Sequence, residues 1–599
     1  MRREIIRLYF IGLMICLLAA PVASRSTFSA ARFDKFVNQE LSKWRVPGVA
    51  IGIIHNGRII LTRGYGYRNL EQKRPVTSKT LFAIGSSTKA FTTLLLGMLA
   101  DEGKLDWDTP VKQYLPEFEM HEPYVTNHIT PKDLVIHNSG LPRHDLSWYG
   151  SDASRPDLLK RLAYLEPSRG FRSMFQYQNL MYMTAGYLGG KLNGSTWEEA
   201  VKHRIFKPLG MDHSNLDIRE SQKTDDYAFA YGEEDKKIKR IPFYEDLLAV
   251  GPAGSINSNI QDMMSWLNLH INRGKIGDKS LVLEATLEEM HSPQIVVKGM
   301  LFNALEKYTE LSAMNYGMGW FVQWYRGTKL VHHGGNIDGF SAMVSFMPHK
   351  RSGVVILANK NGTLITLSLI LRIYDRLMGL NPIPWSHRLL EFVGELEKSN
   401  ESDKENVDDL RKTNTTPSHP LIEFTGHFSH PGYGSLTVDL KDDRLQIGYN
   451  SLSAPLEHYH YNVFKIREGI GEGLKVQFFS NLKGDIDQIS IPFETRVDNI
   501  VFTRVADSSG LSREFFENCR GSFQIKGMML KVDLKSEDVL MLMVPGQPNY
   551  ELIPYKKTVF NIKGLPSYSV EFVENEDGKI NSIILHQPNG DFNAVRVNK

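Results

Sequence analysis

Cysteine is nearly missing from this chain, whose 599 residues contain two, Cys16 and Cys519. Cys16 lies inside an apolar N-terminal run and departs with it on cleavage, so the mature chain keeps one thiol and closes no internal disulfide. Long apolar stretches are scarce as well. The run from Leu8 to Ala20 falls short of the roughly 20 residues that a spanning helix needs. It follows Arg2, Arg3 and Arg7 and precedes Pro21-Val22-Ala23-Ser24, the basic, apolar and small-residue order of an export signal. Residues 1–24 are therefore expected to be a signal peptide cut after Ser24, giving a secreted or periplasmic protein; an uncleaved segment associated with the membrane is the alternative. A surplus of one charge is also lacking. With 70 basic and 68 acidic residues the formal net charge is +2 and no basic cluster stands out, which argues against a nucleic-acid partner.

What the chain does have is length and an ordinary globular composition, 42% hydrophobic, enough for two or three domains. Its most informative segment is Ser86-Ser87-Thr88-Lys89. A spacing of three puts Ser86 and Lys89 on one helical face. Phe91, Leu94, Leu95, Met98 and Leu99 then recur at three and four, so the helix that follows is buried and its first turn held rigidly. Free N-H groups at such a helix start favour an alkoxide or oxyanion. Ser480-Asn481-Leu482-Lys483 has the same spacing but precedes Gly484 between two strand patterns, which reads as a solvated turn.

Val49–Ile54 and 58–62 flank Asn56-Gly57, a strong hairpin signal. Strand patterns return at 317–324, 329–332, 342–346 and 354–358, and Ile365, Leu369, Ile373 and Leu377 form an amphipathic helix. Strands at both ends with helices between them predict a mixed α/β (α+β) domain over 30–385, its antiparallel sheet flanked by helices and interrupted by a helical insertion. A linker is expected over 386–419, charged and polar from Glu395 onward. Beyond it lies an internal repeat. Gly426, Phe428, Leu436-Thr437-Val438-Asp439-Leu440-Lys441, Phe464 and Phe478 recur as Gly521, Phe523, Leu530-Lys531-Val532-Asp533-Leu534-Lys535, Phe560 and Phe572. Two small antiparallel β barrels, 420–506 and 510–599, are the economical reading.

A nucleophilic serine needs a base, and Tyr177-Gln178-Asn179 offers a phenol. Its usual pKa is about 10. A lysine ammonium about 4 Å away, at an effective dielectric of about 20, supplies on the order of 4 kcal/mol, enough to draw it toward 7 before desolvation subtracts. Lys89 is thus expected to make Tyr177 a base, with Asn179 positioning the substrate or Lys89. Tyr67-Arg68-Asn69 matches the same pattern on a sheet edge. The third element is Leu330-Val331-His332-His333-Gly334-Gly335-Asn336, a strand ending in glycines that lets a substrate lie close to the backbone. The N-H groups of Asn336 and Ser86 are the candidate oxyanion donors, and His333 a donor near the leaving group, with His332 as the other register. Adjacent strand residues point to opposite faces, so the His pair is a poor metal site; His458 and His460 share a face without a third ligand.

Ser86, Lys89, Tyr177, Asn179 and the His333-Gly334-Gly335 strand, in this order, resemble the serine β-lactamase and penicillin-binding-protein superfamily. The likeness is to its class C-like branch, with family VIII esterases, D-aminopeptidases and related peptidases. Val46-Pro47-Gly48, His137-Asn138-Ser139-Gly140-Leu141-Pro142, Pro208-Leu209-Gly210-Met211 and Pro252-Ala253-Gly254-Ser255 support it. The resemblance implies Ser86 as nucleophile, Lys89 and Tyr177 as the base system, Asn179 and His333-Gly334-Gly335-Asn336 as the substrate and oxyanion residues, no cofactor and no metal. It also implies lipocalin-like C-terminal units. His333 stands where many relatives carry a lysine that binds a substrate carboxylate, and a neutral imidazole does this less strongly. The expected activity is hydrolysis of a peptide or amide, with D-residues among the candidates, through an acyl-enzyme on Ser86. A carboxylesterase or β-lactamase is the alternative within the superfamily, and a catalytically weak binding or assembly module the alternative outside it. A small-molecule or peptide substrate is the expected partner.

Overall fold

The computed structural model describes residues 30–597 apart from 246, 299–306, 409–410, 470, 506–510, 537–538 and 557. The signal-peptide expectation falls outside them. Among the described residues no helix is long and apolar enough to cross a membrane.

The hairpin at Asn56-Gly57 forms as expected, both residues taking the positive φ (51° and 75°) that such a turn demands. It joins β1 (Gly48–His55) to β2 (Arg58–Asn69). The later strand patterns become β3 (Phe321–Tyr325), β4 (Thr328–Ile337), β5 (Phe340–Met347) and β6 (Ser352–Ala358). All belong to one nine-stranded antiparallel sheet in which the long strands run β3-β4-β5-β6-β1-β2, so N- and C-terminal portions meet where β6 pairs with β1. β1 is apolar at nearly every position because both faces are covered. Ala50 and Ile54 join a core with Ile260 and Met264 of the helix Ile260–Ile271. Val49, Ile51 and Ile53 face Phe33 and Val37 of the helix Ala30–Lys43 and Ile365 and Leu369 of the helix Ile365–Leu377. Gly52 is needed here, since a Cβ would lie 2.2 Å from Met264 Sδ.

The expected linker is largely helix. Residues Trp385–Asp408 form one 24-residue helix whose Trp385, Leu389 and Phe392 are buried against the domain. Its polar composition is that of a helix with one covered edge, which composition alone does not separate from a linker. Arg411 then ties the chain to the first barrel, its Nε donating to Tyr459 O at 2.9 Å.

Two closed eight-stranded antiparallel barrels follow, the first from Gly426 to Val505 and the second from Gly521 to Arg596. Each closes by pairing its first strand with its last, Phe428 with Arg504 and Phe523 with Arg596. The repeated positions Phe428/Phe523, Leu436/Leu530, Val438/Val532, Phe464/Phe560 and Phe478/Phe572 are all buried, so the repeat is a repeat of core positions. The second Ser-X-X-Lys match is a turn after the strand Lys475–Ser480, with Leu482 fully exposed.

Candidate active site

Ser86 sits on a single 3-10 turn, Gly85–Thr88, that runs into the buried helix Lys89–Asp101. The turn is pressed against the end of β4. A Cβ on Gly335 would lie 1.9 Å from Ile84 O and 2.9 Å from Ser86 N, and one on Gly85 would lie 2.9 Å from Asn336 N. Glycine at 335 is thus what lets the strand come within reach of the serine. β3 pairs with β4 only as far as Phe321–His332, so 333–337 pair with β5 alone and their other edge faces the serine turn. A substrate backbone can lie along such an edge.

Lys89 is fully buried and makes three polar contacts. Its Nζ lies 3.1 Å from Ser86 Oγ and donates to Asn179 Oδ1 and to Ala253 O, both at 2.8 Å. Burial, reinforced by Arg143, pushes the Lys89 pKa well below the usual lysine value. A neutral amine that gives its two N-H groups to the two carbonyl oxygens keeps its lone pair for the Ser86 hydroxyl.

The Tyr177 phenol lies near enough to the Ser86 side chain to feel it electrostatically, and its ring centroid lies 4.8 Å from Lys89 Nζ. The three groups therefore converge as the spacing predicts. Their charge states do not. Burial pushes Tyr177 up to about 12, against the pull of Ser86 and Arg143, so the phenol is not drawn toward neutrality. Desolvation lowers the lysine and raises the tyrosine, which works against the ion pair on which that expectation relied.

Arg143 and Asp145 belong to the site and were not anticipated. The Arg143 guanidinium lies 5.1 Å from the Tyr177 ring centroid, and its Nε donates to Asp145 Oδ2 at 2.5 Å. Asp145 Oδ1 accepts from Asn179 Nδ2 at 3.1 Å. Asn179, which opens the helix Asn179–Leu192, thus bridges Asp145 to Lys89. Between Arg143 and Asp145, His144 adopts a left-handed φ of 46° and is held by the first barrel: its Nδ1 lies 2.7 Å from Tyr433 Oη, and its backbone N donates to Glu494 Oε2 at 3.1 Å. The motif His137–Pro142 ends just before this segment, and that adjacency is the one signal the sequence offers for it.

His333 is buried, and both its ring nitrogens are taken, Nε2 by Tyr316 Oη at 3.0 Å and Nδ1 by Gly334 O at 2.6 Å. Burial, with Lys89, lowers its pKa to about 3, so it stays neutral. The expectation of a donor at the leaving group is not met; His333 fixes the strand end instead. His332 turns to Gln323, 3.1 Å away, and burial lowers it to about 4. The Asn336 side chain accepts from Ser341 Oγ at 2.7 Å, leaving its backbone as the part that meets the serine turn. Above Ser86 opens a cavity of about 390 Å³ with Arg143 and Tyr177 on one side and Phe175, Met314, Phe321 and Leu367 on the others. Among the described residues no cluster suits a metal ion.

Sheet, serine turn and buried lysine define a β-lactamase-like fold, and comparison with known proteins agrees. The beta-lactamase family matches residues 33–366, more than half of the chain, and the chain belongs to that family of serine hydrolases. A domain of unknown function, DUF3471, matches residues 410–504, the span of the first barrel. The chain is similar to an unguisins hydrolase of Aspergillus campestris, 29% identical over 442 residues that cover 69% of this chain and 78% of that protein. It is 27% identical to Protein flp of Staphylococcus aureus over 337 residues, 56% of this chain and 64% of that one. Among solved structures, the octameric penicillin-binding protein homologue from Pyrococcus abyssi shares the fold at a TM-score of 0.50 and 22% identity, covering 79% of this chain and 100% of its own.

Proposed function

We propose that this chain is an exported hydrolase that cleaves peptide or amide bonds bearing an apolar acyl group, through an acyl-enzyme on Ser86. The observation that carries the reading is Lys89 Nζ, 3.1 Å from Ser86 Oγ, with its other two partners both carbonyl oxygens. Ser86 Oγ attacks the substrate carbonyl while its proton passes to the neutral Lys89 amine. The N-H groups of Ser86 and Asn336 hold the oxyanion. Tyr177, neutral and beside Ser86, gives its phenol proton to the leaving nitrogen and takes back the one held by Lys89; water then enters by the reverse path and releases the acid. The apolar side of the cavity takes the acyl group, and the edge at 333–337 that β3 leaves unpaired takes the substrate backbone. A relative named for the hydrolysis of unguisins supports hydrolysis as the activity. A β-lactamase is less favoured, because position 333 supplies no cation and Arg143 is already compensated by Asp145.

The test is a panel of D- and L-aminoacyl amides, cyclic and linear peptides, p-nitrophenyl esters and nitrocefin, run with the Ser86→Ala variant. Amides with apolar acyl groups should turn over fastest, and Ser86→Ala should lower kcat by at least ~10⁴-fold. Preference for esters would move the assignment to a carboxylesterase. Full turnover by Ser86→Ala would end the mechanism.

A further inference from the structure

The two barrels repeat each other in topology, yet only one is full. In the first, the end that faces the catalytic domain is packed with Tyr433, Tyr449, Phe493 and Phe502. The Phe493 ring centroid lies 4.8 Å from that of Tyr449 and 5.9 Å from those of Tyr433 and Phe502. Leu146 of the catalytic domain closes over this end, and the space that it lines with Tyr449 and Phe493 holds about 70 Å³.

Strand register identifies the counterparts in the second barrel. Leu436 pairs with Tyr449; its repeat equivalent Leu530 precedes Lys531, which pairs with Met543, so Val544 stands where Tyr449 does. Ile489 pairs with Phe478 and Phe502, and Ile583 with Phe572 and Ala594, which places Ala594 at Phe502 and Gln587 at Phe493. The hairpin that carries Tyr433 shortens to Lys526-Gly527. Tyr, Phe and Phe have become Val, Gln and Ala, and the missing side-chain volume reappears as a cavity of about 550 Å³.

That volume falls in the range of about 300–1,000 Å³ occupied by small-molecule sites, which favour barrel mouths. The lining has two chemistries. Leu530, Leu542, Ile562 and Leu585 make an apolar body, and Tyr550, Tyr568 and Gln587 add polar groups. Among the described residues no carboxylate lines it and the one permanent charge is Lys526, whose ammonium lies 5.5 Å from the Phe592 ring centroid. His586 also borders the space but spends its two nitrogens on Asp591 and Glu571, at 2.8 and 2.9 Å. We propose that the second barrel binds a single-chain amphiphile with an anionic head, its chain inside the barrel and its carboxylate at Lys526.

The test titrates the full-length protein with 11-(dansylamino)undecanoic acid. The wild type should give a saturable, blue-shifted signal that dodecanoic acid displaces. Val544→Tyr with Gln587→Phe, which restores two of the first barrel's aromatic residues, should remove one equivalent of bound probe and leave turnover by the catalytic domain unchanged. Counting equivalents separates this site from the apolar cavity at Ser86, where the probe can also lodge. Lys526→Ala should weaken the acid about tenfold and leave displacement by dodecanol unchanged, and Lys526→Arg should restore it. Absence of saturable binding to the wild type, no loss of an equivalent in the filled variant, or undiminished acid affinity in Lys526→Ala would each overturn the proposal. If the double variant melts abnormally, Gln587→Phe alone decides.

Discussion

The first barrel is a foot and the second a cup, although their strands, register and core positions correspond. The core of the first is continuous with that of the catalytic domain, whereas the second has a core of its own. Around the aromatic plug, Tyr449 Oη donates to Leu146 O at 2.7 Å, Asn450 Nδ2 to Tyr149 O at 2.9 Å and Ser451 N to Gly150 O at 2.8 Å. These hydrogen bonds clamp the segment just after Arg143 and Asp145. The second barrel reaches the first through weaker links, among them Lys483 Nζ to Ser569 Oγ at 3.3 Å. One backbone plan serves both purposes, and a few side chains at one end decide which.

The strongest test removes each barrel in turn. A chain ending at Val505 should keep its turnover and the main melting transition, because the second core is separate. A chain ending at Asp408 strips the cover from Leu146 and the aromatic foot from loop 143–150, and should fail to fold into soluble, active protein. Point changes grade the same contrast. Tyr449→Ala should cost about 3 kcal/mol or more in denaturant unfolding, as deletion of a large buried aromatic does. Val544→Ala at the matching place should cost about 1 kcal/mol or less, since its side chain borders a space already empty. Equal costs would erase the distinction between foot and cup.

Acid should separate the two bodies next. Burial holds His270 at about 3, His332 at about 4 and His333 at about 3, all in the catalytic domain. The second barrel has no fully buried imidazole among its described residues, its one histidine being the carboxylate-paired His586. The folded values of the three lie below the unfolded value of about 6.5, so below that pH only the unfolded chain takes up these protons. Their contribution is whole above pH 6.5 and is lost as pH falls toward 4, by about 1.4 kcal/mol per pH unit for each imidazole. Calorimetry from pH 7 to 5 should show the catalytic transition dropping by many degrees while that of the second barrel moves little. Parallel movement of both would mean that the barrels share one cooperative unit.

How far the sequence foretold this differs between backbone and site. The repeat was readable because strand alternation writes core positions directly, and Phe428/Phe523 or Leu436/Leu530 keep their register over more than ninety residues. Ser86, Lys89 and Tyr177 were readable because their types and order are unusual together. Arg143 and Asp145 were not, since their meaning comes from Asn179, 34 positions beyond Asp145, and from Glu494, 350 beyond His144. The pKa directions of Lys89 and Tyr177 are not legible for a related reason: spacing gives distance, while these shifts follow from burial that only the packed fold sets. The helix Trp385–Asp408 escaped because its buried Trp385, Leu389 and Phe392 sit among charges that a linker would also carry.

The finest test concerns one carboxylate. Glu494 accepts from the His144 N-H and acts electrostatically on Arg143, so it holds the left-handed residue between Arg143 and Asp145. Residue 494 follows Phe493, and the residue after Gln587 in the other barrel is Pro588, which has no such partner to offer. Glu494→Ala should loosen Arg143 and Asp145 together, and through Asn179 the placement of Lys89. We expect kcat to fall about tenfold, about 1.4 kcal/mol of barrier, with little change in KM. Glu494→Gln should recover most of the loss, because its amide oxygen still accepts from His144, and Pro588→Ala should leave kcat where it was. A purely structural role for Glu494 would instead lower the melting temperature with kcat per folded molecule unchanged, and the first barrel would then be a foot that supports the catalytic domain without setting its active site.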